Sequence, residues 1–164
     1  MNEVVELPTV EDTRAYGVRL ASVLRAGDLV VLSGPLGAGK TALTQGIGQG
    51  LGVLGRVTSP TFVLARVHRG TLPLVHVDAY RLRDSASSAL ELDDLDLDAD
   101  VADSVTVVEW GHGVAERLAD AYLEVVLSTG EGEQRVAALT GTGGRWADGS
   151  FGPDGSFGPA TGGG

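Results

Sequence analysis

Residues 34–41 read Gly-Pro-Leu-Gly-Ala-Gly-Lys-Thr and fit the spacing G-x-x-x-x-G-K-[ST]. A stretch of this kind can cradle phosphate. Its glycines let backbone N–H groups turn inward around phosphate oxygens, and a helix beginning at its end adds donors and a favourable dipole. The lysine reaches the β- and γ-phosphates as a mobile point charge, and the threonine hydroxyl can ligate Mg²⁺. Gly34, Leu36, Gly37, Ala38, Gly39, Lys40 and Thr41 are therefore the candidate nucleotide-binding residues. Lys40 is also the only lysine, beside eleven arginines. With that lysine committed to phosphate, the Asn-Lys-x-Asp element by which Ras-type GTPases read guanine cannot exist here. Adenine nucleotide is the better expectation.

A magnesium nucleotide needs a carboxylate on a neighbouring strand. Two apolar runs end in acids: Leu-Val-His-Val-Asp at 74–78 and Val-Thr-Val-Val-Glu at 105–109. An acid at the C-terminal end of a buried strand lies on the edge where α/β proteins bind ligands. Asp78 and Glu109 are the candidates, one of them for Mg²⁺. His68 and His112 offer no metal-ligand spacing.

The pattern also predicts the elements that must position these groups. Thr9 is a plausible N-cap, with Glu11 and Asp12 in the first turn. Tyr16, Leu20 and Leu24 recur at helical spacing, and Gly27 is expected to end that helix. Residues 28–32 read as a short apolar strand, and a helix is expected from about Lys40. That helix carries Gly46, Gly48 and Gly50, each costing about 1 kcal/mol relative to alanine. Gly46 and Gly50 share a face, which suggests close packing against the sheet. Residues 61–68 and 72–78 look like a hairpin around Gly70, and 122–127 and 134–139 like a second. Residues 105–109 read as a buried strand, and 114–119 as a short helix. The result is an α/β fold: a P-loop NTPase-like mixed β-sheet flanked by helices in a single domain.

Composition narrows the function further. The 164 residues carry a formal net charge of −10, against free-standing nucleic-acid binding, which needs a basic surface. Eight of the acids fall between 84 and 103 with no lysine or arginine among them. This segment reads as a solvated face, or as a surface for a partner. With no cysteine in the chain, disulfides and thiolate chemistry are excluded. No apolar run approaches the ~20 residues needed to span a bilayer, and the N-terminus lacks a signal-peptide pattern. A cytoplasmic protein is expected. From 141 to 164 ten of 24 residues are glycine, and Gly-Ser-Phe-Gly-Pro occurs twice. That composition predicts a disordered tail after a domain of residues 1–140, with Trp146 and two phenylalanines as the parts able to dock on a partner.

Taken together, the motifs resemble the TsaE family, small P-loop ATPases of bacterial tRNA threonylcarbamoyladenosine synthesis. The resemblance runs from about Leu7 to Leu139. It rests on Thr13 in the first helix, the loop at 34–41, Ser-Pro-Thr-Phe at 59–62, His-Val-Asp-Ala-Tyr-Arg at 76–81 and Val-Glu-Trp at 108–110. It implies that Lys40 and the loop amides hold the phosphates of ATP and that Thr41 and Glu109 ligate Mg²⁺. Asp78 would act near the γ-phosphate, positioning water or supporting the metal, and Thr61 would face the nucleotide from a switch-like loop. Val10 to Thr13 would lie near adenine, and Trp110 beside the metal ligand. The resemblance also implies work with TsaB and TsaD, tRNA being met only through that complex, and with no membrane involved. Pro35, where the family often has an acid, and Ala79, where it usually has a bulkier residue, depart from the pattern. Two other functions fit the phosphate loop: a small-molecule kinase, and a nucleotide-gated binding module with negligible turnover.

Overall fold

The computed structural model describes residues 2–35, 37–53, 57, 65–78, 103–109, 120–132 and 134–146. The order of elements is β1 (Asn2–Leu7), α1 (Val10–Ala21), β2 (Leu29–Ser33), α2 (Lys40–Gly50), β3 (Ala65–His68), β4 (Leu74–Asp78), β5 (Val105–Glu109), β6 (Tyr122–Thr129) and β7 (Arg135–Thr142). Seven strands form one sheet in the order β1-β7-β6-β2-β5-β4-β3. The central four, β6, β2, β5 and β4, run parallel. Antiparallel pairs β1–β7, β6–β7 and β3–β4 complete the two flanks. The mixed α/β sheet expected from the sequence is therefore present, with both hairpins.

The central strands sit where their composition requires. Val30, Val31 and Leu32 of β2, and Val105, Val107 and Val108 of β5, are buried. An unbroken apolar run is what a parallel strand covered on both faces needs. Val30, Leu32, Val105 and Val107 share one core cluster with Leu43 and Ile47 of α2 and Tyr16 and Leu20 of α1. Side chains alternate along a strand, so this is the face on which the helices lie. Burial pushes the Tyr16 phenol far above its ordinary pKa, with Glu3 adding to the effect and Arg19 opposing it.

Helix α1 begins as the sequence predicts. Thr9 and Asp12 form a reciprocal capping box, with the Asp12 amide donating to Thr9 Oγ1 at 3.2 Å and the Thr9 amide to Asp12 Oδ2 at 3.0 Å. Its end differs from expectation. The helix stops at Ala21 rather than running to Gly27. Val23 and Leu24 then donate to Leu20 and Ala21 carbonyls, three residues back, so Leu24 is buried from a turn rather than a helix. Gly27, at φ 90°, instead turns the chain into β2, its N–H donating to the Ser104 carbonyl.

The glycines of α2 have a different explanation from the one their spacing suggests. Gly46 and Gly50 meet α1, not the sheet. A Cβ on Gly46 would collide with the Arg14 carbonyl, and one on Gly50 with Ala21 Cβ. Gly17 of α1 fills the reciprocal position, against the Leu43 carbonyl and the Ile47 amide. The two helices thus touch backbone to backbone, and only Gly48 faces the other way, toward Val57 and Leu74.

Two further regions depart from the sequence reading. Residues 2–7 form an edge strand that the pattern does not announce, because Glu3 and Glu6 interrupt the apolar residues and Val4 is 67% exposed. At the other end β7 continues through Gly141 and Thr142, and a 3₁₀ turn, Gly144–Trp146, follows. Trp146 is 1% exposed and belongs to the core cluster. Residues 141–146, expected to open the tail, therefore belong to the folded domain. Residues 147–164, the acidic residues 84–102 and the expected helix at 114–119 lie outside the described residues.

Two substitutions check this packing by urea unfolding. Gly46→Ala should lower stability by about 1–3 kcal/mol through overpacking, although alanine is the better helix former; unchanged or raised stability would contradict the helix contact. Trp146→Ala should cost about 3–5 kcal/mol, and a loss below about 1 kcal/mol would contradict its place in the core.

Candidate functional site

Strand β2 ends at Ser33, and the chain must turn at once to enter α2 at Lys40. Glycines make the turn possible. Gly34 adopts φ 146°, and a Cβ there would stand 2.5 Å from the Leu127 carbonyl oxygen. Gly39, the N-cap of α2, adopts φ 99°, a region that side-chain-bearing residues rarely enter. The Ala38 amide donates to the Pro35 carbonyl at 3.1 Å and closes the turn.

Lys40 is drawn back into this loop. Its ammonium donates to the Gly34 carbonyl at 2.8 Å and to the Pro35 carbonyl at 2.9 Å, and the residue is only 6% exposed. A buried ammonium is costly unless hydrogen-bonded, so the loop and the lysine fix each other. Thr41 follows as the second residue of α2 and is partly exposed.

The two helix N-termini differ in a way that bears on anion binding. Thr9 and Asp12 satisfy the start of α1, and Glu11 and Asp12 add negative charge there. At α2 no side chain caps the first turn and no acid lies within it. Its amides and the positive end of its dipole face the loop with no acid in the helix's own first turn to offset them, a condition under which a helix start attracts an anion.

Across β2, Glu109 closes the same edge of the sheet. It pairs in register with Leu32, two residues before Gly34, and strand alternation places it on the side of Val105 and Val107, where α2 packs. Glu109 is 4% exposed, and its Oε1 has no hydrogen-bond partner among the described residues. His76 is completely buried, with its Nε2 3.4 Å from that oxygen. The pair is close enough for ionic attraction, yet too long for a good hydrogen bond, and neither ring nitrogen of His76 has a partner among the described residues. A buried carboxyl oxygen left without a donor costs about 1–3 kcal/mol or more. A buried polar atom left in this state calls for an explanation beyond the described fold.

The remaining sequence candidates divide cleanly. Asp78 ends β4 and pairs in register with Glu109, so both acids reach one edge. Val10 is the first residue of α1, and Thr13, one turn on and buried, has its methyl 3.7 Å from where a Gly39 Cβ would be. The start of α1 is thus beside the loop. Leu36, Thr61 and Trp110 lie outside the described residues. Among the described residues no cluster of three or more His, Asp or Glu side chains could hold a metal by itself. Magnesium bound through Thr41, a single carboxylate and the phosphates of its own nucleotide needs no such cluster. One residue absent from the sequence reading also reaches the loop. Arg135, at the start of β7, donates from its guanidinium to the Gly37 carbonyl at 3.2 Å. No local pattern signals a contact between positions 98 apart.

Comparison with known proteins places these features in one family. The model for "Threonylcarbamoyl adenosine biosynthesis protein TsaE" matches residues 7–137. The tRNA threonylcarbamoyladenosine biosynthesis protein TsaE of Mycobacterium tuberculosis is 60% identical over 127 residues, covering 74% of this chain and 76% of its own. The protein of the same description from Streptomyces coelicolor is 55% identical over 141 residues, covering 82% and 93% respectively. A crystal structure of YdiB from Bacillus subtilis superposes with a TM-score of 0.68 at 30% identity, covering 87% of each chain.

If Glu109 is reserved for a ligand, the unliganded fold does not need its charge. Glu109→Gln should leave urea stability without nucleotide unchanged within about 1 kcal/mol, or raise it. A loss of ~3 kcal/mol, the cost of breaking a buried ion pair, would show instead that His76 and Glu109 hold each other as a structural pair.

Proposed function

The chain belongs to the TsaE family, and on that premise we propose that it is a Mg-dependent ATPase acting in the formation of threonylcarbamoyladenosine in tRNA. One observation carries the nucleotide reading: Lys40 is held by the carbonyls of Gly34 and Pro35 under an uncapped helix start, and on the adjoining strand lies Glu109, whose buried Oε1 has no hydrogen-bond partner among the described residues. The donor set fits a magnesium nucleotide. Loop amides and an ammonium suit phosphate oxygens, while a hydroxyl and a carboxylate suit a hard divalent cation.

In this reading the amides of Gly37, Gly39, Lys40 and Thr41 orient the phosphates, and Lys40 sets positive charge against their terminal end. Thr41 and Glu109 would hold Mg²⁺, which when bound neutralises charge that develops on the γ-phosphoryl group. Asp78, paired with Glu109, orients water or steadies the metal from the next strand. By the family resemblance Thr61 and Trp110 would border the phosphate and metal end, and Val10 the nucleoside. Most of the catalytic effect is positioning and electrostatics, because phosphoryl transfer to water asks for little covalent chemistry from the protein.

The pathway partners follow from the family resemblance. TsaB and TsaD would form the complex that modifies the adenosine next to the anticodon, and hydrolysis here would drive a change in that complex. The chain meets tRNA only through them, in the cytoplasm. The net charge of −10 is consistent with that division of labour, since RNA backbones select basic surfaces. Among the described residues no helix is long and apolar enough to cross a membrane.

Phosphate release from ATP, measured alone and with TsaB and TsaD, tests the proposal. Turnover without any added acceptor, rising in the complex, is expected. Strict dependence on a small alcohol would make the protein a kinase, and tight binding without hydrolysis even in the complex would make it a nucleotide-gated module. Lys40→Ala should lower ATP affinity or turnover at least ~100-fold; unchanged values for both would remove the phosphate-loop assignment. Glu109→Ala should raise the Mg²⁺ concentration needed for half-maximal turnover ~10-fold or more, and an unaltered magnesium titration would contradict the ligand assignment.

A further inference from the structure

We propose that Arg135 is a positioning residue of the nucleotide site, holding the apex of the phosphate loop from its nucleoside side. Its guanidinium is fixed by three carbonyls. NH1 donates to Gly132 at 2.7 Å and to Gln134 at 2.8 Å, both at the turn between β6 and β7, and NH2 donates to Gly37 at 3.2 Å. The planar fork of an arginine suits this task, since two donor arms with fixed geometry can tie two chain segments together. Gly37 stands open on its side: it is exposed, it adopts φ 81°, and a Cβ there would meet nothing within 4 Å. Holding the Gly37 carbonyl also fixes the rest of that peptide, whose Ala38 N–H closes the turn on Pro35, so the tether sets the path by which the loop brings the Gly39, Lys40 and Thr41 amides to the start of α2. Arg135 therefore lowers the ordering entropy that the loop would otherwise lose on binding.

Sheet order decides which end of the nucleotide this tether serves. β6 and β7 lie on one side of β2, whereas β5 and β4, with Glu109 and Asp78, lie on the other. Arg135 also pairs in register with Leu7, from which Thr9 leads directly into α1, and α1 brings Thr13 to Gly39. Arg135, Leu7 and the start of α1 thus form one corner, across the loop from the carboxylates. If Mg²⁺ and the γ-phosphate occupy the Glu109 side, as the proposed function requires, the ribose and base extend toward this corner.

The inference rests on that function for its nucleotide arm and is independent of it for its loop arm. In nucleotide-free protein, Arg135→Ala should accelerate hydrogen exchange of the Ala38 amide, which closes the loop on Pro35, at least ~5-fold while amides within α2 stay unchanged. In calorimetric titrations Arg135→Ala should weaken ATP and ADP alike, ~10-fold, with little change in kcat at saturation or in the Mg²⁺ titration. Arg135→Lys, which keeps the charge and loses the fork, should recover part of the affinity. Unchanged Ala38 exchange overturns the tether whether or not ATP binds. Faster exchange with no ATP binding by the unaltered protein keeps the tether and removes the proposed function. Affinities within twofold of the unaltered protein, or a loss confined to Mg²⁺ dependence, overturn the nucleoside-side assignment.

Discussion

A lysine buried inside a turn of glycines is the constraint on which the rest of this structure depends. Away from bulk water an ammonium must be met by acceptors, and Lys40 finds them in the carbonyls of the two residues that open the loop. That contact holds only if the chain doubles back between Ser33 and Lys40, which Gly34 and Gly39 permit through positive φ. It also requires firm ends. β2 supplies one, pinned between two parallel neighbours. α2 supplies the other, locked to α1 by the absence of side chains at Gly17 and Gly46. The glycines that lower helix propensity in α2 are thus the means by which the helix is held.

Against this well-satisfied loop stands Glu109, whose buried Oε1 has no hydrogen-bond partner among the described residues. The capping box of α1 shows that the chain can satisfy a helix start with its own side chains. At α2 no side-chain cap is present among the described residues, and on the adjoining strand the Glu109 Oε1 is buried 3.4 Å from His76 with no hydrogen-bond partner among them. Local departures from good internal pairing, set in a rigid frame, are where function is expected to cost stability. Here the donors at the loop and the acceptor at Glu109 have complementary needs, which a phosphate with its cation would meet together.

Much of the fold was legible in the sequence because its decisive signals are local. β2, the loop and α2 announce themselves by an apolar run, glycine spacing and a lysine, and both hairpins by alternation around turns. Glu109 and Asp78 were legible as strand-end acids, and their register pairing bears out that they share an edge. What escaped depends on distance or on exposure. β1 is an edge strand whose acids and exposed Val4 hide its period. Trp146 looked like part of a flexible tail because its glycine-rich neighbours dominate composition, yet one large aromatic side chain is enough to draw those residues into the core. The partner of Gly46 could not be read from α2 alone, since a small residue signals close approach without saying to what. Arg135 escaped for the same reason: its acceptor is 98 positions away.

The site as a whole stands or falls with coupled binding of nucleotide and magnesium. Isothermal titration of the unaltered protein with ATP, once in magnesium and once in excess EDTA, tests that most directly. One site per chain is expected, with affinity at least ~10-fold tighter in magnesium, equivalent to about 1.4 kcal/mol. No binding in either condition, or the same affinity in both, would contradict the account.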